Sequence, residues 1–429
     1  MRLPALSRQP AFRSLCLAGL VSDTGDWLLF VALPIVVYQL TGSALGTSLA
    51  FLVELAPGIA LAPLAGWCAD RFDRRRLLIV VSGLQAAALV PLLVVHTRAD
   101  LPMVYAVILI EAAMFTVFDP VKNALLPALV PGADLVSANS LVGLSQNLAR
   151  LAGGPLGGLL LAAGGLGVVV AADLISYLIA AVIIARIVTP ASTRPADHYG
   201  VPRRPGRGAY RSMLHSRPIR AALLVMVVSQ VAQGIFVVLF ILFVAQRLHG
   251  GPSDIGLLRG VQAVGAIAGG VILAVIARRY SPGALTAWAA IIFGAVDLVV
   301  WNAPLLSTNI ALYVLLFIVI GAPGIVLGTG LISALQIDTD DTNRGRVFGA
   351  FGLAGNVGQA VGMLAAGLLA SPLGLLSILN IQAVLYLAGG GIAAWSMTGH
   401  RTRRVPPNAR AGRCSGDRIG TVDVAKPNM

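Results

Sequence analysis

Long apolar stretches alternate with short polar turns along most of this chain. A stretch of about 20 mostly apolar residues is enough for one helix to cross a bilayer, and on this basis the pattern predicts twelve spans. Gly and Pro are frequent, with 48 and 24 copies, and membrane helices tolerate both. The pattern predicts an all-α membrane protein with spans at 13–39, 44–66, 76–96, 102–119, 137–163, 167–188, 219–246, 253–277, 284–303, 309–332, 346–370 and 374–398.

Two polar segments interrupt the spans and divide the chain. The stretch 189–218 is rich in Pro and Arg, and 399–429 is polar and basic. We therefore predict a short N-terminus (1–12), a six-helix bundle (13–188), a basic linker (189–218), a second six-helix bundle (219–398) and a disordered tail.

The two predicted bundles show a weak internal repeat. Asn147 to Leu160 resembles Asn356 to Leu369, and 38–46 resembles 245–256 with a few residues inserted. Internal repeats of this kind are typical of transporters whose substrate site lies between the halves, near the middle of the membrane.

Composition supports a membrane protein. The chain has 429 residues, of which 57% are hydrophobic and only 11% charged, whereas soluble domains carry about 25% charged residues. The first apolar run is too long for a cleavable signal peptide. Cys16, Cys68 and Cys414 are too far apart for a disulfide framework or a metal site.

The net charge of +13 follows from topology. With a cytoplasmic N-terminus, nearly all of the 31 Lys and Arg residues fall on the cytoplasmic side, as the positive-inside rule requires. Both termini are then cytoplasmic. Topology and attraction to anionic lipid explain this charge without a nucleic-acid partner.

The turn from Gly66 to Arg76 concentrates charge between two apolar segments. Asp70 is followed directly by Arg71, and then by the run Arg74 to Arg76. This pattern indicates a cytoplasmic hairpin end whose acid contacts another part of the protein, and the alternative is a simple topology anchor.

This turn resembles the loop between spans two and three of major facilitator superfamily transporters, Gly-x-x-x-Asp-Arg/Lys-x-Gly-Arg/Lys-Arg/Lys. The matching residues are Gly66, Asp70, Arg71, Arg74 and Arg75, while Asp73 replaces the second glycine.

Span five resembles the superfamily's antiporter segment, Gly-Pro-x-x-Gly. Gly154, Pro155, Gly157 and Gly158 match it, and Arg150 stands where that pattern usually has glycine. The segments 12–15, 25–27, 119–127, 138–141 and 344–348 are similar to the macrolide-efflux and enterobactin-exporter-like branch.

The resemblance implies twelve transmembrane helices in two pseudo-symmetric six-helix halves. It implies a proton-coupled antiporter in the bacterial inner membrane that exports small amphipathic molecules, drug- or macrolide-like, and confers antibiotic resistance. The expected partners are a small-molecule substrate, protons and membrane lipid, with no nucleic acid. We expect a monomer without a cofactor, driven by the proton gradient. At the cytoplasmic gate, Asp70 is expected to meet the start of span eleven, near Arg346, when the protein is open to the outside.

Charges inside the spans are functional hypotheses, since each costs at least about 2.5–3.5 kcal/mol at the bilayer centre. We predict that one acid pairs with Arg150, which is otherwise a substrate group, and that another carries the proton. For each acid the alternative is a structural hydrogen bond. The proton-coupling candidates are Asp26, Glu54, Asp23 and Glu111, and the pocket candidates in the second half are Gln230, Gln233, Asn356 and Gln359.

Other functions are less consistent with the residues. No Gly-x-x-x-x-Gly-Lys-Ser/Thr motif is present, the five histidines form no metal cluster, and no nucleophile motif indicates an enzyme. Two alternatives stay open. One is a different transporter, such as a siderophore or anion exporter in which Arg150 faces the ligand, or an importer. The other is a non-transporting scaffold that acts through its basic tail.

Overall fold

The computed structural model describes residues 9–61, 64, 67, 68, 71–130, 134–187, 217–276, 279–337, 339 and 344–397, without the side chains of 136, 218 and 344–346. Its architecture over these residues is all-helical. The helices are α1 (Pro10–Thr41), α2 (Ala44–Ala60), α3 (Arg74–Leu89), α4 (Leu101–Leu129), α5 (Leu135–Ala185), α6 (Arg217–Arg247), α7 (Pro252–Ile276), α8 (Pro282–Asn302), α9 (Ile310–Ile337), α10 (Arg344–Leu373) and α11 (Leu375–Met397), with short 3₁₀ turns at Val90–Val94, Arg98–Asp100 and Ala303–Leu305.

Ten helical segments in the described part of the chain are long and apolar enough to cross a membrane, and α2 is a shorter apolar helix. Large apolar side chains point outward from them, including Leu305, Leu306 and Trp395, which are at least 80% exposed. Such an exposed apolar surface fits contact with lipid.

The predicted spans 137–163 and 167–188 form one helical run in the structure. At 51 residues and about 1.5 Å per residue, α5 is more than twice as long as a bilayer of about 30 Å is thick. Gly165 interrupts it with φ 71° and ψ −172°, a conformation that only glycine adopts readily. The predicted loop between these spans is therefore reduced to a kink at one residue.

Local signals set several helix ends. Gly42 ends α1 in the left-handed conformation, with φ 64°, and the Ser43 side chain accepts hydrogen bonds from Leu45 N and Gly46 N to start α2. Asp73, which breaks the glycine pattern of the loop motif, accepts from Arg76 N at 2.8 Å. It is therefore the N-cap of α3.

Helix packing follows the same scheme in the two groups of helices, α1–α5 and α6–α11. In the first group α1 packs on α5, and α3 packs on α4 and α5. In the second group α6 packs on α10 and α11, and α8 packs on α9 and α11. The groups meet mainly through two pairs, α5 with α7 and α2 with α10, with smaller contacts of α1 and α2 with α6 and of α1 with α7.

The apolar core shows which end of the molecule is closed. We call the end where α1 and α3 begin the basic end. There Phe12 and Leu78 belong to a cluster formed only by the first group, and Ile219 and Val347 belong to one formed only by the second. At the opposite end a single cluster joins both groups, so the groups are joined there and separate towards the basic end.

Glycines allow the close contacts that join the groups. A Cβ on Gly158 of α5 would lie 2.2 Å from Pro252 O of α7. A Cβ on Gly367 of α10 would lie 2.8 Å from the Ser48 Cβ of α2, and Ser48 Oγ donates to Met363 O at 2.6 Å. These two interfaces require small residues.

Candidate functional site

A cavity of about 630 Å³ lies between the two groups, and its lining residues lie along the middle of the helices. Its wall is mostly apolar and aromatic, with several ionisable side chains. It is lined by residues of α1–α6 and α10, among them Trp27, Phe30, Phe51, Phe115, Ile108, Gln146, Asn147, Tyr177, Val237 and Met363.

The structure brings together the ionisable residues that the sequence singled out inside the spans. Asp26 and Asp23 come from α1, Glu54 from α2, Glu111 from α4 and Arg150 from α5, and all five line the cavity. Residues from four helices thus converge on one site.

Tyr177 connects two of these acids. Its hydroxyl lies 2.5 Å from Asp26 Oδ1 and 3.2 Å from Glu111 Oε2. Gln85 of α3 donates from Nε2 to the same hydroxyl at 3.1 Å. Gln85 and Tyr177 were not predicted as site residues, because nothing in the sequence places these helices side by side.

A further acid, Asp173, was missed although it lies within a predicted span. It is fully buried and its Oδ1 accepts a hydrogen bond from Ser176 at 2.9 Å. A Cβ at Gly25 would lie 2.0 Å from the same oxygen, so only glycine fits beside it. The same signal that identified Asp26, an acid within an apolar span, could have found it.

Lys122 supplies the buried positive charge that was expected from Arg150. Lys122 was not among the predicted site residues, because the predicted span ends at residue 119, but α4 continues past that point and carries Lys122 into the protein. Its Nζ lies 3.1 Å from Asp23 Oδ1 and 3.5 Å from Asp119 Oδ1. Within the described part of the chain, both ion pairs found belong to Lys122.

Arg150 instead bonds to a neutral partner. Its guanidinium donates from Nη2 to Gln262 Oε1 of α7 at 2.9 Å and lies 5.3 Å from the centre of the Trp27 ring. The predicted pairing of an acid with Arg150 is therefore wrong for this conformation, because the side chain reaches across to the second group.

Arg259 of α7 is a second buried cation that was not among the predicted site residues. Only 7% of it is exposed, and its guanidinium lies 5.1 to 5.9 Å from the ring centres of Phe30, Phe236 and Phe240. The guanidinium thus lies among aromatic rings of both groups.

The predicted pocket amides have different positions. Gln359 lines the cavity. Gln233 accepts a hydrogen bond from the Tyr386 hydroxyl at 3.2 Å. Gln230 packs near Gly355 and Gly358 of α10, and Asn356 is half-buried and is not part of the cavity wall.

The second group has its own buried polar network. Gln382 Nε2 donates to Asp297 Oδ2 at 2.7 Å, and Trp301 Nε1 donates to Gln382 Oε1 at 2.8 Å. All three side chains are fully buried. This network lies apart from the cavity wall, so we assign it to packing.

The arginines at the start of α3 donate hydrogen bonds to backbone carbonyls near the ends of other helices. Arg74 Nη1 donates to Ala124 O at 2.9 Å and Arg75 Nε donates to Ile184 O at 3.3 Å, which ties α3 to the ends of α4 and α5. Arg71 lies over Trp67. Gly66, Asp70 and the Arg346 side chain are outside the described residues, so the predicted gate contact stays a prediction.

The antiporter-type segment serves helix contact on two sides. A Cβ at Gly157 would lie 2.7 Å from Leu28 O of α1, while Gly154 and Gly158 face α7. Gly260 of α7 lies against Pro155, where an added Cβ would be 2.4 Å from Pro155 Cδ. This segment joins both groups beside the cavity.

A helical membrane bundle with a central cavity lined by ionisable side chains is the architecture of a membrane transporter, and this is the class of protein to which the chain belongs. Residues 4–404 match the family model described as Transmembrane secretion effector. The chain belongs to this family of major facilitator superfamily transporters, as its motifs predicted.

Curated relatives cover much of the chain. The uncharacterized MFS-type transporter YfiS of Bacillus subtilis is 26% identical and aligns with 91% of this chain and 94% of its own length. The multidrug efflux pump Tap of Mycolicibacterium fortuitum is 26% identical, with coverages of 83% and 88%. The enterobactin exporter EntS of Citrobacter koseri is 25% identical, with coverages of 66% and 68%.

A solved structure shows the same fold. A bacterial homologue of the iron transporter ferroportin, in an inward-facing state, superposes with a TM-score of 0.73 over 92% of this chain and 100% of that chain. The two sequences are 17% identical, so the likeness concerns the fold. The protein is thus a multi-pass membrane transporter whose relatives include exporters.

Proposed function

We propose that this transporter is a proton-coupled exporter of small amphipathic molecules, drug- or macrolide-like, in the bacterial inner membrane. One observation carries the proposal. The cavity between the two groups is walled by apolar and aromatic side chains, yet it contains the carboxyl groups of Asp26, Glu54 and Glu111. Such a wall suits an apolar molecule that carries a polar or cationic group.

We infer two pseudo-symmetric six-helix halves and twelve spans. The support is the matched packing of the two groups together with the kink at Gly165, which divides α5 into two arms. The contact of Gly158 with α7 and that of Gly367 with α2 are then equivalent under the internal repeat. Alternating access follows if one half rocks against the other.

The orientation is part of the proposal. The positive-inside rule puts the basic end and both termini in the cytoplasm. The cavity then faces the cytoplasm and the shared apolar cluster closes the outer end. A protein in this state loads its substrate from the cytoplasm or the inner leaflet, as an exporter must.

The energy source is the proton gradient, with no other cofactor. Asp26 and Glu54 are the first choices for the proton carrier, because both are acids on the cavity wall. A carboxyl that is neutral in one access state and charged in the other couples proton movement to the change of state. The proposed unit is a monomer that needs no nucleic-acid partner.

The cytoplasmic gate belongs to the same mechanism. In the outward-open state, Asp70 would meet the positive N-terminal end of α10 next to Arg346. Breaking this contact would accompany opening towards the cytoplasm. Asp70→Asn should then favour the inward-open state and lower transport, and normal transport at normal expression would contradict this gate.

The test is efflux of a macrolide. Everted vesicles that contain wild-type protein should accumulate erythromycin when a proton gradient is imposed and should lose it when the gradient is collapsed. Asp26→Asn and Glu54→Gln should reduce accumulation, whereas Asp134→Asn should not, because Asp134 lies at the start of α5, outside the cavity wall. Equal accumulation by all variants would remove the proton-carrier assignment.

A siderophore or other anionic metabolite is the second candidate substrate. Arg150 lines the cavity and its buried Nε has no hydrogen-bond partner. This N–H can therefore donate a hydrogen bond to an anionic oxygen of a ligand. A competition experiment distinguishes the two substrate classes. If the substrate is a siderophore, enterobactin should block transport and erythromycin should not. A scaffold role predicts instead that deletion of 400–429 abolishes the function while the helices stay folded.

A further inference from the structure

The contacts of Tyr177 restrict where protons can be in this site. Its hydroxyl has one hydrogen to donate and two lone pairs to accept with. Gln85 Nε2 occupies one lone pair at 3.1 Å. Asp26 Oδ1 at 2.5 Å is a carboxyl oxygen that can receive the one hydrogen.

Glu111 Oε2 then faces an oxygen with no further hydrogen to give. The two atoms are 3.2 Å apart, so this contact is a hydrogen bond only if Glu111 carries a proton and donates it to Tyr177. With that proton the tyrosine oxygen is fully satisfied, since it donates once and accepts twice. Without it, two acceptor oxygens face each other in a site where such a contact is costly.

Two further buried atoms point to the same conclusion. Gln85 is 1% exposed and its Oε1 has no hydrogen-bond partner. Asp173 is fully buried and its Oδ2 is also unpartnered. The surroundings of Tyr177 thus have more acceptors than donors, which favours an added proton.

We propose that Asp26, Tyr177 and Glu111 form one proton-binding unit, in which Glu111 holds the proton while the end opposite the basic end is closed. Its role in transport rests on the proposed function. In that role Asp26 stays ionised and receives the tyrosine hydrogen, so the carrier role first considered for Asp26 passes to Glu111, and Asp26 acts by holding Tyr177 in place. When substrate enters the cavity from the cytoplasmic side, Glu111 releases its proton to the cytoplasm and the bond to Tyr177 is lost.

Every helix around this unit contributes to its charge balance. Asp23 and Asp26 face it from α1, Glu54 from α2 and Asp173 from α5, while α3 contributes the neutral Gln85. Lys122 and Asp119 lie on α4 itself, where Lys122 pairs with Asp23 of α1 and with Asp119. Arg150 bonds to Gln262 and Arg259 lies among aromatic rings. Within the described residues the two ion pairs involve Asp23 and Asp119 and not Glu111, so a proton on Glu111 supplies the local neutralisation.

Infrared spectroscopy of the purified protein tests the proposal without any substrate. Wild-type protein at neutral pH should show the carbonyl stretch of a protonated carboxyl group, and this band should weaken when the pH is raised. In the difference spectrum against wild type, Glu111→Gln should remove one protonated-carboxyl component, while components from other buried acids such as Asp173 and Asp297 remain. Asp26→Asn should leave the Glu111 component in place. Loss of a component in Asp26→Asn, with none lost in Glu111→Gln, would overturn the assignment.

A second pair of variants keeps the test independent of Glu111→Gln folding correctly. Tyr177→Phe should shift the frequency of the band, because the acceptor of the Glu111 proton is removed. Tyr386→Phe is the matched control, since that tyrosine bonds to the neutral Gln233, and it should leave the band unchanged. An unshifted band in Tyr177→Phe would contradict the proposal.

The transport assay separates this proposal from the function. Glu111→Gln should lose gradient-driven erythromycin accumulation but retain exchange of erythromycin across the membrane without a gradient. If wild-type protein moves no erythromycin, the proposed substrate class fails, whereas the infrared result still decides whether Glu111 holds a proton.

Discussion

The two groups of helices each contain a buried tyrosine, but its partners differ. Tyr177 in α5 touches the carboxyl groups of Asp26 and Glu111, whereas Tyr386 in α11 touches the amide of Gln233. Asp26 and Gln233 occupy the same position counted from the first residue of α1 and α6. The same scaffold thus carries acids on one side and an amide on the other.

The residues four positions before each tyrosine repeat this difference. Asp173 precedes Tyr177, and Gln382 precedes Tyr386. An amide has both donors and acceptors and can complete a buried network by itself, whereas a carboxylate only accepts. The amides therefore complete much of the second network, although Asp297 Oδ1 there is also buried without a partner. The groups differ in position as well: the two acids that Tyr177 contacts line the cavity, whereas the network of Asp297 does not.

Breaking the buried ion pair of Lys122 and Asp23 in the first group should have the largest effect on stability. Lys122→Ala leaves Asp23 buried without its cation, and removing one member of a buried ion pair costs about 3–5 kcal/mol. Denaturant unfolding in detergent measures this loss. The double variant Asp23→Ala and Lys122→Ala should recover most of it, and equal stability of the single and double variants would contradict a buried pair.

Breaking the network around Gln382 in the second group should cost a comparable amount. Gln382→Leu leaves Trp301 Nε1 and an oxygen of Asp297 without partners, at about 1–3 kcal/mol for each buried group. Unfolding measured at several pH values provides the check. A change in the pH dependence of transport, with stability intact, would show that this network also titrates.

The interface between the groups provides a third test. Gly158→Ala places a Cβ against Pro252 O, and overpacking of about 1–3 kcal/mol in the closed state corresponds to a shift of about 5–150-fold in the populations. Distances between spin labels on the two groups of helices, measured at the closed end opposite the basic end, should lengthen. Gly143→Ala is the matched control in the same helix, because a Cβ there meets nothing within 4 Å.

The smallest effect is expected at the equivalent interface of α2 and α10. Ser48→Ala removes the hydroxyl that donates to Met363 O, and hydrogen bonds between membrane helices contribute about 0.6 kcal/mol on average. The same distance measurement should show a change of about threefold or less in the ratio of closed to open states. An effect as large as that of Gly158→Ala would mean that the hydroxyl, and not close packing, holds this end together.

Much of the fold was predictable because it depends on local composition. Lipid requires long apolar helices whose backbone groups bond internally, so the spans are visible as apolar runs. The turns are visible too, since Gly42, Ser43 and Asp73 cap helices through their own side chains or conformations. The kink at Gly165 was missed, because a glycine in an apolar run does not reveal whether it ends a helix or bends it.

The sequence by itself determined which side chains can be charged inside the membrane, since Asp26, Glu54, Glu111 and Arg150 stand in apolar spans where each ionised group is costly. Which of them meet was decided only by the tertiary structure. Helix packing turned Arg150 towards Gln262, extended α4 so that Lys122 reaches Asp23, and placed Tyr177 between two acids. The physical reason is that partner choice depends on the depth and rotation of neighbouring helices, which long-range packing sets and local sequence does not.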